Sequence, residues 1–359
     1  MLIERKTAII INVMIRRSGV KGMEIGDRRN EILRIVVNGY VESGEPVGSK
    51  AVAEKLGGVS SATIRNDMAE LERVGLLEQP HTSSGRVPTV EAYRLFVTRL
   101  MPRAQLPEPV RSEVLAELKS GAPSASTLLE RAGQLLSRMT ECASVAITPY
   151  VKGLRLLRMN LFVADSCVYV VVAVTSDGVS NPRSCRTRSE VSPEELHALS
   201  KAINERFADR EINAALAEDM TKLSRELGLS GEGNALFATA VATLSDSAES
   251  SVYVGGVSQL LHRADALTAH RVVELLDKPD AISGLLRRIQ GRETKVLLGA
   301  DSEDERLSDA AVIGCGYGAP SGEGSVALIG PMRLNYGDAV ASVDFIAKTI
   351  SELLSDEYR

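Results

Sequence analysis

The chain has 359 residues, more than one ordinary domain holds, so we expect two or three domains. Its 44 % apolar and 25 % charged residues are typical of globular proteins, and no apolar run reaches the roughly 20 residues that span a bilayer. The net charge of −5 excludes a uniformly basic nucleic-acid-binding protein. Residues 1–105 nevertheless carry 16 Lys and Arg against 12 Asp and Glu, a net +4, whereas the remainder carries −9. A basic N-terminal part followed by an acidic remainder suits DNA binding by the N-terminal part alone.

Cysteine and histidine are too scattered to indicate a metal site or a catalytic centre. The chain contains no Cys-x-x-Cys pair, which excludes the usual structural zinc patterns and a disulfide framework. The four histidines are far apart and match neither a metal-binding motif nor a nucleophile elbow. We therefore predict no enzymatic activity, no catalytic residue, no metal and no cofactor.

The first 26 residues precede the recognisable pattern. Residues 7–15 mimic the apolar part of a signal peptide, but Asn12 interrupts the run. Arg16 and Arg17 stand where a cleavage site of small residues would lie. We interpret residues 1–26 as a non-targeting N-terminal extension, which could be disordered.

Three helices are predicted between residues 27 and 75. The first is predicted to have Asp27 as its N-cap, carries apolar residues at helical spacing and ends near Gly44. Ser49 is predicted to cap a second, short helix. The third runs from an N-cap at Ser60 to Gly75 and turns one apolar face inward. Together they form a helix-turn-helix pattern.

The outward face of the third helix carries side chains that suit DNA. Arg65 can donate two hydrogen bonds to the major-groove edge of guanine, and Asn66 can pair with adenine. Ser61 and Thr63 can reach phosphates near the helix N-terminus. Taken alone, the helix fits an ordinary amphipathic helix with a solvated polar face better than a DNA-reading helix.

A hairpin after this helix favours DNA binding over an ordinary amphipathic helix. Leu76 and Leu77 enter a strand, the segment 82–85 makes a small polar turn, and the chain returns through Arg86. This is the wing of a winged helix-turn-helix, with His81 and Arg86 flanking a tip that could meet the DNA backbone or minor groove. The candidate DNA-binding residues are Ser49, Lys50, Ser60, Ser61, Thr63, Arg65, Asn66, His81, Ser83, Ser84 and Arg86.

The pattern over residues 104–359 predicts a small α+β domain that follows a linker marked by Pro102 and Pro107. A mixed sheet of about six strands is expected. The predicted strands lie near residues 142–150, 154–164, 167–175, 179–187, 253–256, 294–298, 310–317 and 324–329. Predicted helices lie near residues 127–140, 194–209, 264–276, 281–289 and 336–354, with a helix-rich stretch over 211–248.

Three long segments carry a family resemblance: Glu42–Lys50, Ser60–Glu72 and Gly75–Thr89. They closely resemble the heat-inducible transcription repressor HrcA family, and the resemblance extends from about residue 27 to the C-terminus. It implies a multidomain α+β protein with an N-terminal winged helix-turn-helix and a GAF-like domain that is interrupted by an inserted dimerisation subdomain. On this basis we assign the winged-helix domain to residues 27–103, the GAF-like domain to 104–195 and 290–359, and the insertion to 196–289.

The resemblance also implies a function. Such a protein is a cytoplasmic repressor that binds double-stranded DNA as a homodimer, at an inverted-repeat operator upstream of chaperone genes. It is released on heat stress, and its activity depends on the GroEL chaperonin. The alternative is an effector-binding regulator of other genes with the same winged-helix and GAF-like architecture. A non-DNA interaction module is a third possibility, because winged helices also bind proteins.

Overall fold

The computed structural model describes residues 11–13, 26–81, 85–102, 104–121, 125–150, 153–176, 180–248, 251–319 and 322–356. The chain forms two compact units. The first comprises residues 1–148, 252–319 and 323–359, and the second comprises residues 149–251 with 320–322.

The N-terminal part of the first unit is a winged helix. Its elements are α1 (Asp27–Ser43), α2 (Ser49–Leu56), α3 (Ser61–Arg73), β2 (Leu77–Glu78), β3 (Val87–Pro88) and α4 (Val90–Leu95), continued by a π-helical turn at Phe96–Leu100. Ile32 and Val36 of α1 and Ile64 and Leu71 of α3 are fully buried, so the helices share one aliphatic core. The predicted helix-turn-helix and hairpin are confirmed, because apolar spacing and glycine stops are local signals.

A six-stranded sheet forms the centre of the same unit. Its strands are β1 (Ile11–Val13), β4 (Ala143–Tyr150), β8 (Val252–Gly255), β9 (Thr294–Leu298), β10 (Ala310–Ala319) and β11 (Gly322–Pro331), in the order β1-β9-β10-β11-β4-β8. The short edge strand β1 pairs parallel with β9, whereas β10 runs antiparallel to β9 and β8 antiparallel to β4. The backbone of residues 11–13, within the predicted extension, therefore joins this sheet.

Helices cover both faces of the six-stranded sheet. They are α5 (Glu108–Lys119), α6 (Ala125–Thr140), α10 (Val257–Arg263), α11 (Ala266–Leu276), α12 (Pro279–Ile289) and α13 (Tyr336–Asp356). Successive residues of β10 point to opposite faces. Accordingly, Ile313 belongs to the core that α6 and α13 share with the winged helix, and Val312 belongs to the core beneath α10–α12. Among the described helices, none has the length and apolarity needed to cross a membrane.

The second unit contains a separate three-stranded antiparallel sheet. Strands β5 (Leu156–Asp165), β6 (Val168–Thr175) and β7 (Ser180–Arg186) pair in the order β5-β6-β7. Helices α7 (Pro193–Phe207), α8 (Ala214–Leu227) and α9 (Gly231–Ala248) complete the unit. Alternate residues of β6 are buried, so one face of the sheet packs into a core with these helices.

This arrangement differs from the expected single sheet. Strands β5–β7 pair only with each other among the described strands, and they belong with α7–α9 in the unit at 149–251. Helices α11 and α12 cover the six-stranded sheet and so belong to the first unit. The segment set apart from the larger domain is thus 149–251, where the sequence led us to expect 196–289. Strand boundaries follow from local pattern, but the choice of partner strand depends on residues far away in the chain.

Candidate DNA-binding interface

The N-terminus of α3 is fixed by a capping hydroxyl. Ser60 has extended backbone, and its Oγ accepts a hydrogen bond from the backbone N–H of Thr63 at 3.2 Å. The hydroxyls of Ser60 and Thr63 also lie 3.0 Å apart. The predicted N-cap is therefore confirmed, and it sets where the helix starts.

Arg65 and Asn66 lie on the second turn of α3. Both side chains are exposed, whereas Ile64, Asp67 and Met68 beside them are buried. Within the described part of the chain, neither side chain takes part in a hydrogen bond or ion pair, and both are thus available to a ligand. Two further candidates are likewise exposed: Lys50, the second residue of α2, and Ser60.

The serine hydroxyls at the turn between α2 and α3 join the two helices. Ser49 Oγ and Ser61 Oγ lie 3.0 Å apart, and both residues are half-buried. Ser49 is the first residue of α2 rather than its N-cap, since Gly48 occupies the cap position and makes no side-chain bond. The predicted cap at Ser49 is therefore wrong, and its hydroxyl instead sets the position of α2 against α3.

The wing is tied to the segment that precedes α2. Leu77 and Glu78 pair with Pro88 and Val87, and Val47 and Arg86 exchange two backbone hydrogen bonds of 2.9 Å. His81 is exposed close to the tip. Ser83 and Ser84, the predicted tip residues, lie outside the described residues.

The side chain of Arg86 faces α3. Its Nε donates to Glu72 Oε2 at 2.9 Å, and only 17 % of the side chain is exposed. Glu72 follows Arg65 by seven residues, two helical turns, so the two project from nearly the same face of α3. Arg86 thus fastens the wing beside the face that carries Arg65. A contact of Arg86 with DNA stays a prediction.

Gly85 is required where the wing meets residue 47. A Cβ at this position would lie 2.4 Å from both the carbonyl carbon and the oxygen of Val47, atoms that belong to the backbone and cannot rotate away. We expect Gly85→Ala to break the Val47–Arg86 bridge and to destabilise the protein by about 1–3 kcal/mol, as overpacking usually does. Gly48→Ala is the matched control, because a Cβ there meets nothing within 4 Å. Thermal unfolding of the two variants tests this, and equal melting temperatures would contradict it.

An ion cluster that the sequence analysis missed holds α3 against the start of α1. Asp67 is 4 % exposed and accepts hydrogen bonds from Arg28 Nε at 2.8 Å and Arg29 Nε at 3.2 Å. These hydrogen bonds, that from Arg28 foremost, lower the pKa of Asp67 against the opposing effect of burial. The signal available in the sequence was an aspartate three residues after Ile64, on the inward side of the helix. Its partners lie 38 and 39 residues away and could not be identified.

The lowered pKa of Asp67 gives the domain a specific acid sensitivity. The carboxylate stabilises the fold above its unfolded pKa of about 3.9, and this contribution is lost as the pH falls through the lower folded pKa. We expect Asp67→Asn to cost about 1 kcal/mol at pH 7, a modest value because both arginines are substantially exposed. Urea unfolding at pH 7 and near pH 2 measures the difference, which should shrink in acid. An equal difference at both pH values would exclude the ion cluster as its cause.

The fold and this surface define a winged-helix DNA-binding protein with a larger C-terminal α+β domain. Residues 24–101 match the family model described as "Winged helix-turn-helix transcription repressor, HrcA DNA-binding". Residues 126–340 match the model described as "HrcA protein C terminal domain".

Individual relatives are similar in sequence to this chain over nearly its whole length. The heat-inducible transcription repressor HrcA of Corynebacterium jeikeium is 32 % identical over 338 residues, covering 92 % of this chain and 98 % of that protein. The repressor of the same name from Desulforudis audaxviator is 29 % identical over 344 residues, covering 94 % and 100 %. A solved structure titled as a hypothetical protein at 2.2 Å resolution has a TM-score of 0.65 at 24 % identity and covers 93 % of this chain and 99 % of its own, so it shares the fold. The chain belongs to the HrcA family of heat-inducible transcription repressors, which repress transcription of heat-inducible genes.

Proposed function

We propose that the protein represses chaperone genes by binding, as a homodimer, an inverted-repeat operator upstream of them, and that heat stress releases it. The observation that carries the proposal is the pair of exposed side chains, Arg65 and Asn66, on the second turn of α3 beside the wing. Arginine and asparagine make the commonest bidentate contacts to guanine and adenine in the major groove. The hydroxyls of Ser60 and Thr63 and the charge of Lys50 suit phosphates, which position the helix but do not read the sequence.

The homodimer is proposed to form through the second unit. Strand β5 is an edge strand, and it exposes Leu157, Phe162 and Val163 by 49 %, 53 % and 61 %. Apolar side chains along an unpaired strand edge invite association, and natural proteins normally cover them. We therefore place the dimerisation subdomain at 149–251, and we retain the proposal that the six-stranded sheet and its helices form a GAF-like domain.

Heat release and chaperonin dependence complete the proposal. Aromatic residues make up 4 % of the chain and tryptophan is absent, so its cores consist mainly of aliphatic side chains. A repressor with a small folding free energy loses its active fraction on heating, and a GroEL-type chaperonin that returns it to the native state would restore repression. We expect the protein in the cytoplasm, where its operator and the chaperonin are found. Operator binding after a heat pulse, with and without chaperonin, tests this part.

Titration of operator duplexes tests the DNA-binding part. Two winged-helix domains related by a two-fold axis require two half-sites. A duplex that carries the inverted repeat should therefore bind far more tightly than a duplex of equal length that carries one half-site. Affinity should also fall steeply with salt, because the phosphates supply much of the binding energy. Equal affinity for the inverted repeat, a half-site and random duplex would refute operator recognition.

A further inference from the structure

The ion cluster of Arg28, Arg29 and Asp67 presents unused hydrogen-bond donors beside α3. Arg28 donates from Nε and Nη2 to the two oxygens of Asp67 at 2.8 and 3.3 Å, and Arg29 donates from Nε at 3.2 Å. The remaining Nη atoms, one on Arg28 and two on Arg29, make no hydrogen bond or ion pair with the described residues. Those of Arg29 are accessible to solvent, and the two arginine side chains are 54 % and 39 % exposed. The cluster is therefore open to a ligand that accepts hydrogen bonds.

The ion cluster lies on one flank of α3, and the wing lies on the other. Successive helical residues are about 100° apart, so Asp67 lies about 100° beyond Asn66 in one direction around α3. Glu72, which pairs with Arg86 of the wing, lies about 20° beyond Arg65 in the opposite direction. A helix that enters the major groove has a sugar–phosphate backbone along each flank. With Arg65 and Asn66 directed at the bases, the cluster would face the backbone on the side opposite the wing.

The charges at this flank favour an anion. Two guanidinium groups share one carboxylate in the cluster. Of the neighbouring acids, Glu70 is paired with Arg73 at 2.8 Å, and Asp27 projects about 200° away from Arg29 around α1. The pKa of Glu70 is lowered chiefly by Arg73 and to a smaller extent by Arg29, so Arg29 lies near the exposed rim of the flank. A guanidinium that is fixed through its Nε presents its Nη donors in a set orientation, which suits the oxygens of a phosphate.

We propose that Arg29, with Arg28 beside it, binds a phosphate of the DNA backbone on the flank of α3 opposite the wing. The inference rests on the proposed function, because the phosphate belongs to the duplex that α3 enters. It adds to the DNA-binding surface two residues that lie on neither α2, α3 nor the hairpin. A phosphate contact positions the helix and carries no sequence information, so its role differs from that of Arg65.

Titration of operator and random duplexes over a range of salt concentrations, with the full chain and its Arg29→Gln variant, tests the proposal. The variant keeps the bidentate pair of Arg28 and Asp67, so it should fold. We expect it to bind both duplexes more weakly by the same factor, roughly 5–100-fold at moderate salt, because a dimer makes the contact twice. The slope of log affinity against log salt should become shallower by about one per protomer.

Arg34→Gln is the matched control. Arg34 lies on the same helix, is 41 % exposed against 39 % for Arg29, and also pairs with a carboxylate, that of Glu31. It projects about 140° from Arg29 around α1, so its variant should keep the affinity and the salt slope of the unchanged chain. Melting curves verify that both variants are folded.

Duplexes that carry a single neutral methylphosphonate locate the contact. At one backbone position in each half-site, this replacement should weaken binding by the unchanged chain and have little effect on Arg29→Gln. An unchanged salt slope in Arg29→Gln, the absence of such a position, or a loss confined to the operator would overturn the proposal. Equal affinity of the unchanged chain for operator and random duplex would instead refute operator recognition, and the salt slopes on random duplex would still decide whether Arg29 contacts phosphate.

Discussion

Replacing Phe162 and Val163 together with aspartate is expected to convert the proposed dimer into monomers and to lower operator affinity by roughly 10²–10⁴-fold, the range that a linked second binding event contributes. Consecutive strand residues point to opposite faces, yet both of these side chains are exposed. Neither face of this end of β5 is covered by the described part of its unit. A carboxylate placed there would have to be desolvated for the interface to form.

Sedimentation velocity and operator titration measure the two effects on the same samples. Leu261→Asp is the control, since it introduces a carboxylate at a similarly exposed aliphatic position of the other unit. The control should remain dimeric and bind the operator normally. A double aspartate variant that still sediments as a dimer would move the interface away from β5.

Asp301→Ala is expected to destabilise the protein by about 3 kcal/mol, because it breaks a buried ion pair and leaves one charge behind. Arg94 Nη2 donates to Asp301 Oδ2 at 2.8 Å, and the two side chains are only 7 % and 2 % exposed. Burial alone would lower the pKa of Arg94, but hydrogen bonds to Glu91 and Asp301 outweigh it and the pKa is raised. Arg94 would stay charged in the variant, because a guanidinium remains protonated in proteins and Glu91 still pairs with it. Glu91 remains as a partner, which places the cost at the lower end of the usual 3–5 kcal/mol.

A double variant distinguishes the cost of the broken ion pair from the cost of lost packing. Arg94→Met with Asp301→Leu replaces both charges by apolar side chains, and such replacements are often neutral or stabilising. We expect denaturant unfolding to show that it recovers most of the stability that Asp301→Ala loses. A double variant less stable than Asp301→Ala would show that the site needs its charges. The pair joins α4 of the winged helix to the turn after β9, so it also holds the DNA-binding part on the larger domain.

The sequence predicts those parts of the fold that depend on neighbours in the chain. Apolar spacing, the cap at Ser60 and the glycines that end the helices locate α1–α3 and the wing to within a residue or two. The exposed positions of Arg65 and Asn66 follow from the same spacing. The pairing of β5 with β6 also follows, since a two-residue turn joins them.

Contacts between distant residues could not be predicted. Strands β5–β7 form their own sheet because they pair with each other and not with the other described strands. The local pattern of a single sequence does not encode this choice of partner strand. The Arg94–Asp301 pair spans 207 residues. Arg86 illustrates the same limit within the candidate site. The sequence places it beside the tip of the wing, whereas its bridge to Val47 and its ion pair with Glu72 depend on how the hairpin folds back on the domain.

The most direct measurement of the central claim is the affinity of Arg65→Ala for the operator relative to random duplex. If Arg65 reads a guanine edge, the variant loses about 1–3 kcal/mol of discrimination while its affinity for random duplex changes little. Its exposed side chain, free of contacts within the described residues, leaves the stability of the fold unchanged. Equal losses on both duplexes would show that Arg65 only neutralises phosphate, and would contradict sequence recognition by this residue.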